Sequence, residues 1–412
     1  MTKNKRMILF LGVIYLTFIS LGLPDSVIGV AWPVIHKDIH SNLSAAGLIA
    51  MAISICTVIS SLQTARLIRK FGTAKLVIFS VLLTAAGLIG FSFTSSYLFF
   101  IVFAFPLGLG AGAIDTALND YVALNFKAHH MNWLHGFWGI GATLGPMIMG
   151  AVLLKGASWR TGYLLLSGIQ FFLAVVLCFS LPLWSKEDKT PAPLASKKGA
   201  ADEKAERPLK LREVLNIPGV KFSVLSFIFY VGIEASMGLW GSSYLIAVKG
   251  IEVGQASFIV SAFYASLTVG RMLTGFITFW LSNQRILFLS ELFILLGVGI
   301  VFISPGYFTA MLGFIITGLG CAAIFPTMLH ETPSRFGSQN SGAVMGVQIG
   351  LAYVGTAGLP FLLGMLSNVF NLSILTAALF LFGLILLFST IQVEKTAKER
   401  RATNDYNEES DI

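Results

Sequence analysis

The sequence predicts an all-α membrane protein, with twelve transmembrane helices in two parallel, pseudo-symmetric six-helix bundles. Three observations support this prediction: the composition, the distribution of charge and an internal repeat. The 412 residues are 55% hydrophobic and only 12% charged, whereas soluble domains have about 25% charged residues. Apolar runs of roughly 20 residues can each cross a bilayer as a helix. We place them at 7–31, 43–65, 74–94, 97–125, 132–154, 160–184, 220–246, 254–280, 285–303, 306–332, 340–366 and 372–392.

The distribution of positive charge predicts the topology. Segments on the side of both termini hold 23 of the 28 Lys and Arg residues, and Arg271 lies within a span. The opposite side has four: Lys37, Lys155, Arg160 and Lys249. Because cytoplasmic loops are enriched in Lys and Arg, we expect a multi-pass protein of the cell membrane with both termini cytoplasmic. The net charge of +8 therefore reflects topology, and we expect no nucleic-acid partner.

A polar, charge-rich stretch divides the spans six and six. Residues 185–219 have the low hydrophobicity of a cytoplasmic linker, and 208–216 could form a short amphipathic helix. The predicted domains are an N-terminal bundle, 1–184, and a C-terminal bundle, 220–392. A polar cytoplasmic tail, 393–412, is expected to be frayed.

Internal matches support a repeat of six helices. An offset of 209 aligns Asp25 with Glu234 and Gly29 with Gly238. Offsets of 210 and 214 align further Gly and Pro positions: Gly108 and Gly110 with Gly318 and Gly320, and Gly136, Gly141, Pro146 and Gly150 with Gly350, Gly355, Pro360 and Gly364. Parallel repeats of this kind occur in secondary transporters.

Acidic residues within the spans are the first candidates for function. Insertion of a carboxylate at the centre of a membrane helix costs about 2.5–3.5 kcal/mol, so such residues usually face a bundle interior or a water-filled path. We select Asp25, Asp115 and Glu234 as proton-coupling candidates. Hydrogen bonding to a neighbouring helix is the alternative for Asp115, and capping of a helix break or pairing with another helix is the alternative for Asp25.

The fourth span places an acid and an amide on one face. Asp115 and Asn119 are four residues apart, so they can bind hydroxyl groups while the acid holds or releases a proton. Asp120 lies nearer the cytoplasm, where we expect a gating or structural role and pairing with Arg66 or Arg69. The repeat mate of Asp115 is Phe325, which we expect to form an aromatic wall of the binding site.

The seventh span carries a second candidate binding face. Tyr230 and Glu234 share a face, and Trp240 lies further along the helix. A carboxylate accepts sugar hydroxyls, and an indole stacks on a pyranose ring. An interfacial anchor is the alternative for Trp240.

Four other spans contribute weaker candidates. The segment 24–26 of the first span predicts a local opening of the helix at Pro24. His135 is a gating candidate, with a structural hydrogen-bonded histidine as the alternative. Arg271 is also a gating candidate, with a structural ion pair as the favoured alternative. Trp138 and Gln348 are candidate substrate contacts.

No enzyme signature accompanies these residues. A Walker-type phosphate loop and metal-site Cys/His spacing are both missing from the sequence. The cysteines, Cys56, Cys178 and Cys321, resemble apolar packing residues. We therefore expect no enzymatic activity, no metal and no cofactor, and energy from an ion gradient.

Several segments together resemble the fucose–galactose–glucose proton symporters of the major facilitator superfamily. They are Asp25, the 112–119 segment with Asp115 and Asn119, the 134–141 segment with His135, the 230–234 segment with Trp240, Gly270-Arg271, and 323–326. The resemblance implies the major facilitator fold and sugar uptake coupled to protons. It also implies protonation of Asp25 and of the fourth-span acid, which is often Glu in relatives and is Asp115 here. The superfamily motif between the second and third spans is degraded, with Arg69 where an Asp would stand.

The expected function is proton-coupled symport of a monosaccharide or similar polyol by a monomer in a lipid bilayer. The alternatives are a proton-coupled antiporter exporting drugs or a metabolite, and a membrane receptor or sensor that does not transport.

Overall fold

The computed structural model describes residues 3–126, 128–184 and 211–410. Twelve helices in these ranges are long and apolar enough to span a membrane. They are Lys3–Gly22 with Val27–Asp38, Ala45–Phe71, Thr73–Phe93, Tyr97–Asn125, Ala128–Leu154, Trp159–Trp184, Val220–Ala247, Val253–Ile277, Asn283–Ile303, Tyr307–His330, Ser338–Phe370 and Ile374–Ser410. Two short helices, Leu211–Leu215 and Thr332–Phe336, precede the seventh and eleventh spans. The predicted all-α fold with twelve spans is confirmed.

Lys3 and Ser410, the first and last described residues, lie on one side of the bundle, because an even number of spans separates them. We call this the termini side and the other the opposite side. Most of the predicted linker, 185–210, lies outside the described residues, and a short helix is present at Leu211–Leu215. The twelfth helix continues to Ser410, past residue 393 where the tail was predicted to begin. Val393 and Ala397 are buried beyond the apolar run and tie that extension to the bundle.

The first span is broken where the sequence predicted an opening. Its first helix ends at Gly22 and its second begins at Val27. Pro24 has no N–H to continue the helical hydrogen bonds, and its ring disfavours helical geometry at Leu23. The break places Asp25 in a turn within the depth of the membrane span.

Equivalent close contacts in the two halves confirm the pseudo-symmetry. A Cβ on Gly141 would collide with the Ile19 carbonyl oxygen, and a Cβ on Gly355 would collide with that of Ile228. Gly141 and Gly355 are 214 residues apart, and Ile19 and Ile228 are 209 apart. Gly141 and Gly355 therefore allow the same helix packing in both halves. The first span packs closely on the fifth, and the seventh span packs closely on the eleventh.

The two bundles close against each other on the opposite side. Gly29 of the first span lies so near Gly238 of the seventh that a side chain at Gly29 would strike the Gly238 carbonyl. A Cβ on Gly47 of the second span would lie 3.1 Å from the Cα of Phe361 in the eleventh. The fifth and eighth spans also meet there, since a Cβ on Gly150 would lie 2.7 Å from the Cβ of Ser257.

On the termini side the second and eleventh spans separate. A Cβ added to Gly346 or Gly350 would meet no atom within 4 Å, and Ile55 and Ile59 of the second span are exposed. The fifth and eighth spans stay in contact near Gly136. The space between the bundles is therefore closed on the opposite side and open on the termini side.

Candidate functional site

Asp25 is the most accessible acid between the bundles. Its side chain is exposed even though the residue lies midway along the first span. The indole Nε1 of Trp138 in the fifth span donates a hydrogen bond to Asp25 Oδ2 at 2.6 Å. The helix break and the fifth span thus present a carboxylate with one fixed hydrogen-bond donor to the open space.

An ion pair in the C-terminal bundle faces the same region. Arg271 Nη2 lies 3.4 Å from Glu234 Oε2, and it donates to the Tyr230 hydroxyl at 3.2 Å. The Tyr230 hydroxyl donates to Glu234 Oε2 at 2.5 Å, as the four-residue spacing of these two side chains allows. Gly270 permits close packing of the eighth span on the tenth, because a Cβ there would lie 2.6 Å from that of Ala322.

Trp138 connects the two acidic groups across the interface between the bundles. The guanidinium carbon of Arg271 lies 5.5 Å from the centroid of the Trp138 ring, within cation–π range. One indole therefore touches Asp25 through its N–H and Arg271 through its face. Asp25 and Glu234 are also close enough for their charges to interact. We call Asp25, Trp138, Arg271, Glu234 and Tyr230 the central relay.

The fourth span adds a second acid near the central relay. Asn119 Nδ2 donates to Asp115 Oδ1 at 2.9 Å and also to the Asp115 carbonyl. Both side chains are half-buried, and Asp115 is close enough to Asp25 for an electrostatic interaction. Two carboxylates and an amide of the N-terminal bundle are thus directed at one region, a set of groups suited to bind hydroxyls.

An aromatic wall lies on the C-terminal side of this region. The Phe325 ring centroid is 6.2 Å from that of Tyr230 and 5.4 Å from that of Phe227. Phe325 is half-buried. The repeat mates Asp115 and Phe325 therefore contribute a charge on one side and an apolar ring face on the other.

Two predicted substrate contacts, Trp240 and Gln348, do not face the open space. Trp240 is fully buried, with 0% of its surface exposed, and its Nε1 donates to the Pro360 carbonyl at 2.8 Å. Its ring packs against Gly47 and Gly364, so in this conformation it belongs to the closure on the opposite side.

Gln348, the second of these predicted contacts, is buried away from the open space in this conformation. Its side chain is 0% exposed. Its Nε2 donates to Ser223 Oγ at 2.7 Å, and its Oε1 accepts from Thr332 at 3.1 Å. Both ends of the amide are thus used in packing the seventh and eleventh spans against the short helix that begins at Thr332.

The gating candidates lie in different settings. His135 is exposed and near enough to Arg271 for an electrostatic interaction. Arg271 belongs to the central relay. Asp120 is half-buried, but within the described part of the chain it makes no ion pair with Arg66 or Arg69. Arg66 Nη1 instead lies 3.4 Å from Gln63 Oε1, so the expected pairing was wrong.

Sequence reasoning missed Tyr264. Its ring centroid lies 6.4 Å from that of Trp138, and its hydroxyl is close to Gly238 and to the charges of Asp25 and Glu234. Tyr264 and Arg271 are seven residues apart and so share one helix face. That spacing was the signal that could have identified it.

Two pseudo-symmetric six-helix bundles with a polar site between them define a membrane carrier. The sequence profile of the Major Facilitator Superfamily matches residues 14–360. The chain belongs to this superfamily. It is a multi-pass membrane transporter of a small molecule and not an enzyme.

Curated relatives are distant. The glucose/mannose transporter GlcP of Bacillus subtilis (strain 168) is 23% identical over 336 residues, covering 81% of this chain and 82% of GlcP. Bypass of stop codon protein 6 of Saccharomyces cerevisiae is 25% identical, covering 85% of this chain and 75% of that protein. The cis,cis-muconate transport protein of Acinetobacter baylyi is 22% identical, covering 73% and 79%.

Solved structures share the fold. A D-xylose–proton symporter superposes with a TM-score of 0.73 at 13% identity, covering 95% of this chain and 98% of the symporter. A bacterial homologue of the human lysosomal transporter Spinster, described as inward-facing and occupied, gives a TM-score of 0.70 at 13% identity, covering 97% and 96%.

Proposed function

We propose that this chain is a proton-coupled symporter of a monosaccharide or similar polyol. The observation that carries the proposal is the central relay, which joins carboxylates of the two bundles through Trp138 and Arg271 in a space open on one side. Asp115, Asn119 and Glu234 supply hydroxyl-binding groups, and Trp138 and Phe325 supply ring faces. The resemblance of the Asp25, Asp115 and Glu234 segments to sugar–proton symporters supports the same substrate class.

The relay offers a physical basis for coupling. Arg271 neutralises Glu234, whereas Asp25 has an indole N–H but no cation bonded to it among the described side chains. Closing the bundles over an ionised, unpaired Asp25 would bury a charge, which costs several kcal/mol. Protonation of Asp25 removes that penalty, and substrate hydroxyls would satisfy oxygens that lose water. Closure with only the proton or only the substrate bound is then disfavoured, so proton binding and substrate binding are linked.

The conformation fits one half of an alternating-access cycle. With both termini cytoplasmic, as the charge distribution predicts, the space would open to the cytoplasm. We place the protein in the cell membrane as a monomer. Trp240 and the close contact of Gly29 with Gly238 would hold the extracellular side shut.

Proteoliposomes with an imposed pH gradient test the proposal. A panel of labelled hexoses and pentoses should give accumulation of at least one sugar with acid outside, together with alkalinisation outside. Asp115→Asn should abolish accumulation driven by the pH gradient while retaining some exchange of sugar at equal pH. Unchanged accumulation in that variant would remove Asp115 from the coupling mechanism.

The same preparation separates the alternatives. An exporting antiporter would dissipate the proton gradient when an apolar drug or metabolite is added. A receptor would show neither movement nor counterflow of any labelled solute. Either result would refute sugar symport.

A further inference from the structure

The sixth span contributes a buried amide to the break in the first span. Gln170 is buried, although its chain neighbours Ile169, Phe171 and Phe172 are exposed. Both ends of the Gln170 amide bond to Ser20. Nε2 donates to the Ser20 carbonyl oxygen at 2.6 Å, and Oε1 accepts from Ser20 Oγ at 2.6 Å. Two hydrogen bonds thus join the sixth span to the last turn of the helix that ends at the break.

The Ser20 carbonyl loses its helical donor to Pro24. In an α-helix each N–H donates to the carbonyl four residues earlier, so the N–H of residue 24 would bond to Ser20, but proline has none. The next donor, the Asp25 N–H, bonds to the Gly22 carbonyl instead, three residues earlier, at 3.2 Å. Gln170 therefore supplies from another helix the hydrogen bond that Pro24 removes.

The depth of this pairing makes it important for the geometry of the break. Ser20 and Gln170 are 3% and 1% exposed. Within a membrane span every backbone polar group has to be satisfied by the protein, because water is not present to replace a missing partner. Without the amide of Gln170, the Ser20 carbonyl would need another donor, and the turn after it would have to rearrange.

The fifth span packs against the same turn. A Cβ on Gly22 would lie 2.2 Å from the Trp138 carbonyl oxygen, so the backbones of the first and fifth spans touch at the break. The turn is therefore held between the fifth and sixth spans. Asp25 follows Ser20 by five residues, and its Oδ2 accepts from Trp138 Nε1 at 2.6 Å.

We propose that Gln170 is a positioning residue for the proton site. By replacing the donor that Pro24 lacks, it holds the break in the geometry that brings Asp25 to the indole of Trp138. Gln170 acts through Ser20 and touches neither the proton nor the substrate. The inference rests on the proposed role of Asp25, and it adds the sixth span, which has no member in the central relay, to the coupling machinery.

Other ionisable groups surround Asp25 on the spans packed around it. Those close enough to interact electrostatically with it, within the described residues, are Asp115 of the fourth span, Glu234 of the seventh, Tyr264 of the eighth and Tyr353 of the eleventh. Arg271 of the eighth span lies over the Trp138 ring. A neutral substitution at position 170 leaves all these groups in place, so its effect on the protonation of Asp25 comes through the turn.

Carbodiimide labelling of the full-length protein tests the proposal. Dicyclohexylcarbodiimide reacts with protonated carboxyl groups, and mass spectrometry of the peptide that contains Asp25 gives the pH at which labelling is half-maximal. Gln170→Met keeps a long side chain but removes the amide, so Asp25 should leave the indole and its ionised form should be less stabilised. The labelling midpoint should rise by about 0.5–1 pH unit, since one hydrogen bond to a charged group corresponds to about one unit. An unchanged midpoint, or a lower one, would overturn the proposal.

Two further variants separate positioning from general packing. Ser167→Ala, one turn from Gln170, removes the 3.0 Å hydrogen bond from the sixth span to the Ala85 carbonyl. It should lower the melting temperature without moving the midpoint, and a shift as large as that of Gln170→Met would refute positioning. In Trp138→Phe the indole bond is already absent, so adding Gln170→Met should cause no further shift. A full additional shift would show that Gln170 does not act through the indole.

Pro24→Ala tests the replaced donor directly, because it returns an N–H to position 24. That N–H can bond to the Ser20 carbonyl, so adding Gln170→Met should leave the midpoint where Pro24→Ala alone puts it. A shift as large as in the wild-type background would overturn the proposal. If Gln170→Met alone does not fold, adding Pro24→Ala should restore folded protein, and failure of that rescue would equally refute the proposal.

The labelling needs neither sugar nor a pH gradient. The expected shift in a protein that accumulates no sugar would refute the proposed function and leave the positioning role standing. Sugar symport with an unmoved midpoint in Gln170→Met would do the reverse.

Discussion

Trp138→Phe isolates one bond of the central relay. Phenylalanine keeps an aromatic face near Arg271, which lies 5.5 Å from the indole centroid, but it removes the N–H that donates to Asp25 Oδ2 at 2.6 Å. A hydrogen bond to a charged group is worth about 1.5–3 kcal/mol. Because Asp25 is exposed in this conformation, water would replace part of the lost bond, so we use the lower end of that range.

The sign of the effect follows from which form of Asp25 the indole stabilises. The N–H stabilises the ionised carboxylate, so its removal makes Asp25 easier to protonate. Since one pH unit corresponds to about 1.4 kcal/mol, the pH at which sugar uptake is half-maximal should rise by about one unit. Uptake is measured in proteoliposomes at a series of external pH values with a fixed gradient.

Trp280→Phe is the matched control, because Trp280 is 77% exposed at the end of the eighth span. Its profile should superpose on that of the wild type. If the Trp138→Phe profile is unchanged, or moves to lower pH, the indole does not hold the ionised form of Asp25 and the coupling argument fails.

Three further predictions concern the ion pair, the packing and the closure. Removing one partner of a partly buried ion pair leaves a lone charge. Glu234→Gln and Arg271→Gln should therefore each lower the melting temperature more than the double variant does. If the losses of the single variants add up in the double variant, the two side chains are not directly paired. Gln348→Leu removes the hydrogen bonds to Ser223 and Thr332. The free energy of unfolding should fall by about 2–3 kcal/mol, and the KM for sugar should not change. A raised KM with normal stability would instead indicate that Gln348 contacts the substrate. Gly29→Val should clash with the Gly238 carbonyl and favour opening on the opposite side, seen as faster labelling of a Ser257→Cys reporter. Gly299→Val, with no atom within 4 Å of the added Cβ, should leave that labelling rate unchanged.

The site residues show where sequence reasoning succeeded and where it stopped. Helix spacing predicted that Asp115 shares a face with Asn119, and that Tyr230 shares a face with Glu234. In the structure each pair is hydrogen-bonded. The same spacing does not reveal which side of a helix faces the cavity. Trp240 and Gln348 were therefore predicted as substrate contacts, although both are buried in helix contacts.

The sequence by itself determined the spans, the break at Pro24, the repeat and the placement of acids within the membrane. These features follow from local properties: hydropathy over about 20 residues, the missing N–H of proline, and the small size of glycine. Only the tertiary structure decided which side of the carrier is open and which polar groups meet. Asp25 and Trp138 are 113 residues apart, and Trp240 and Pro360 are 120 apart. Such contacts depend on how helices rotate and pack against distant partners.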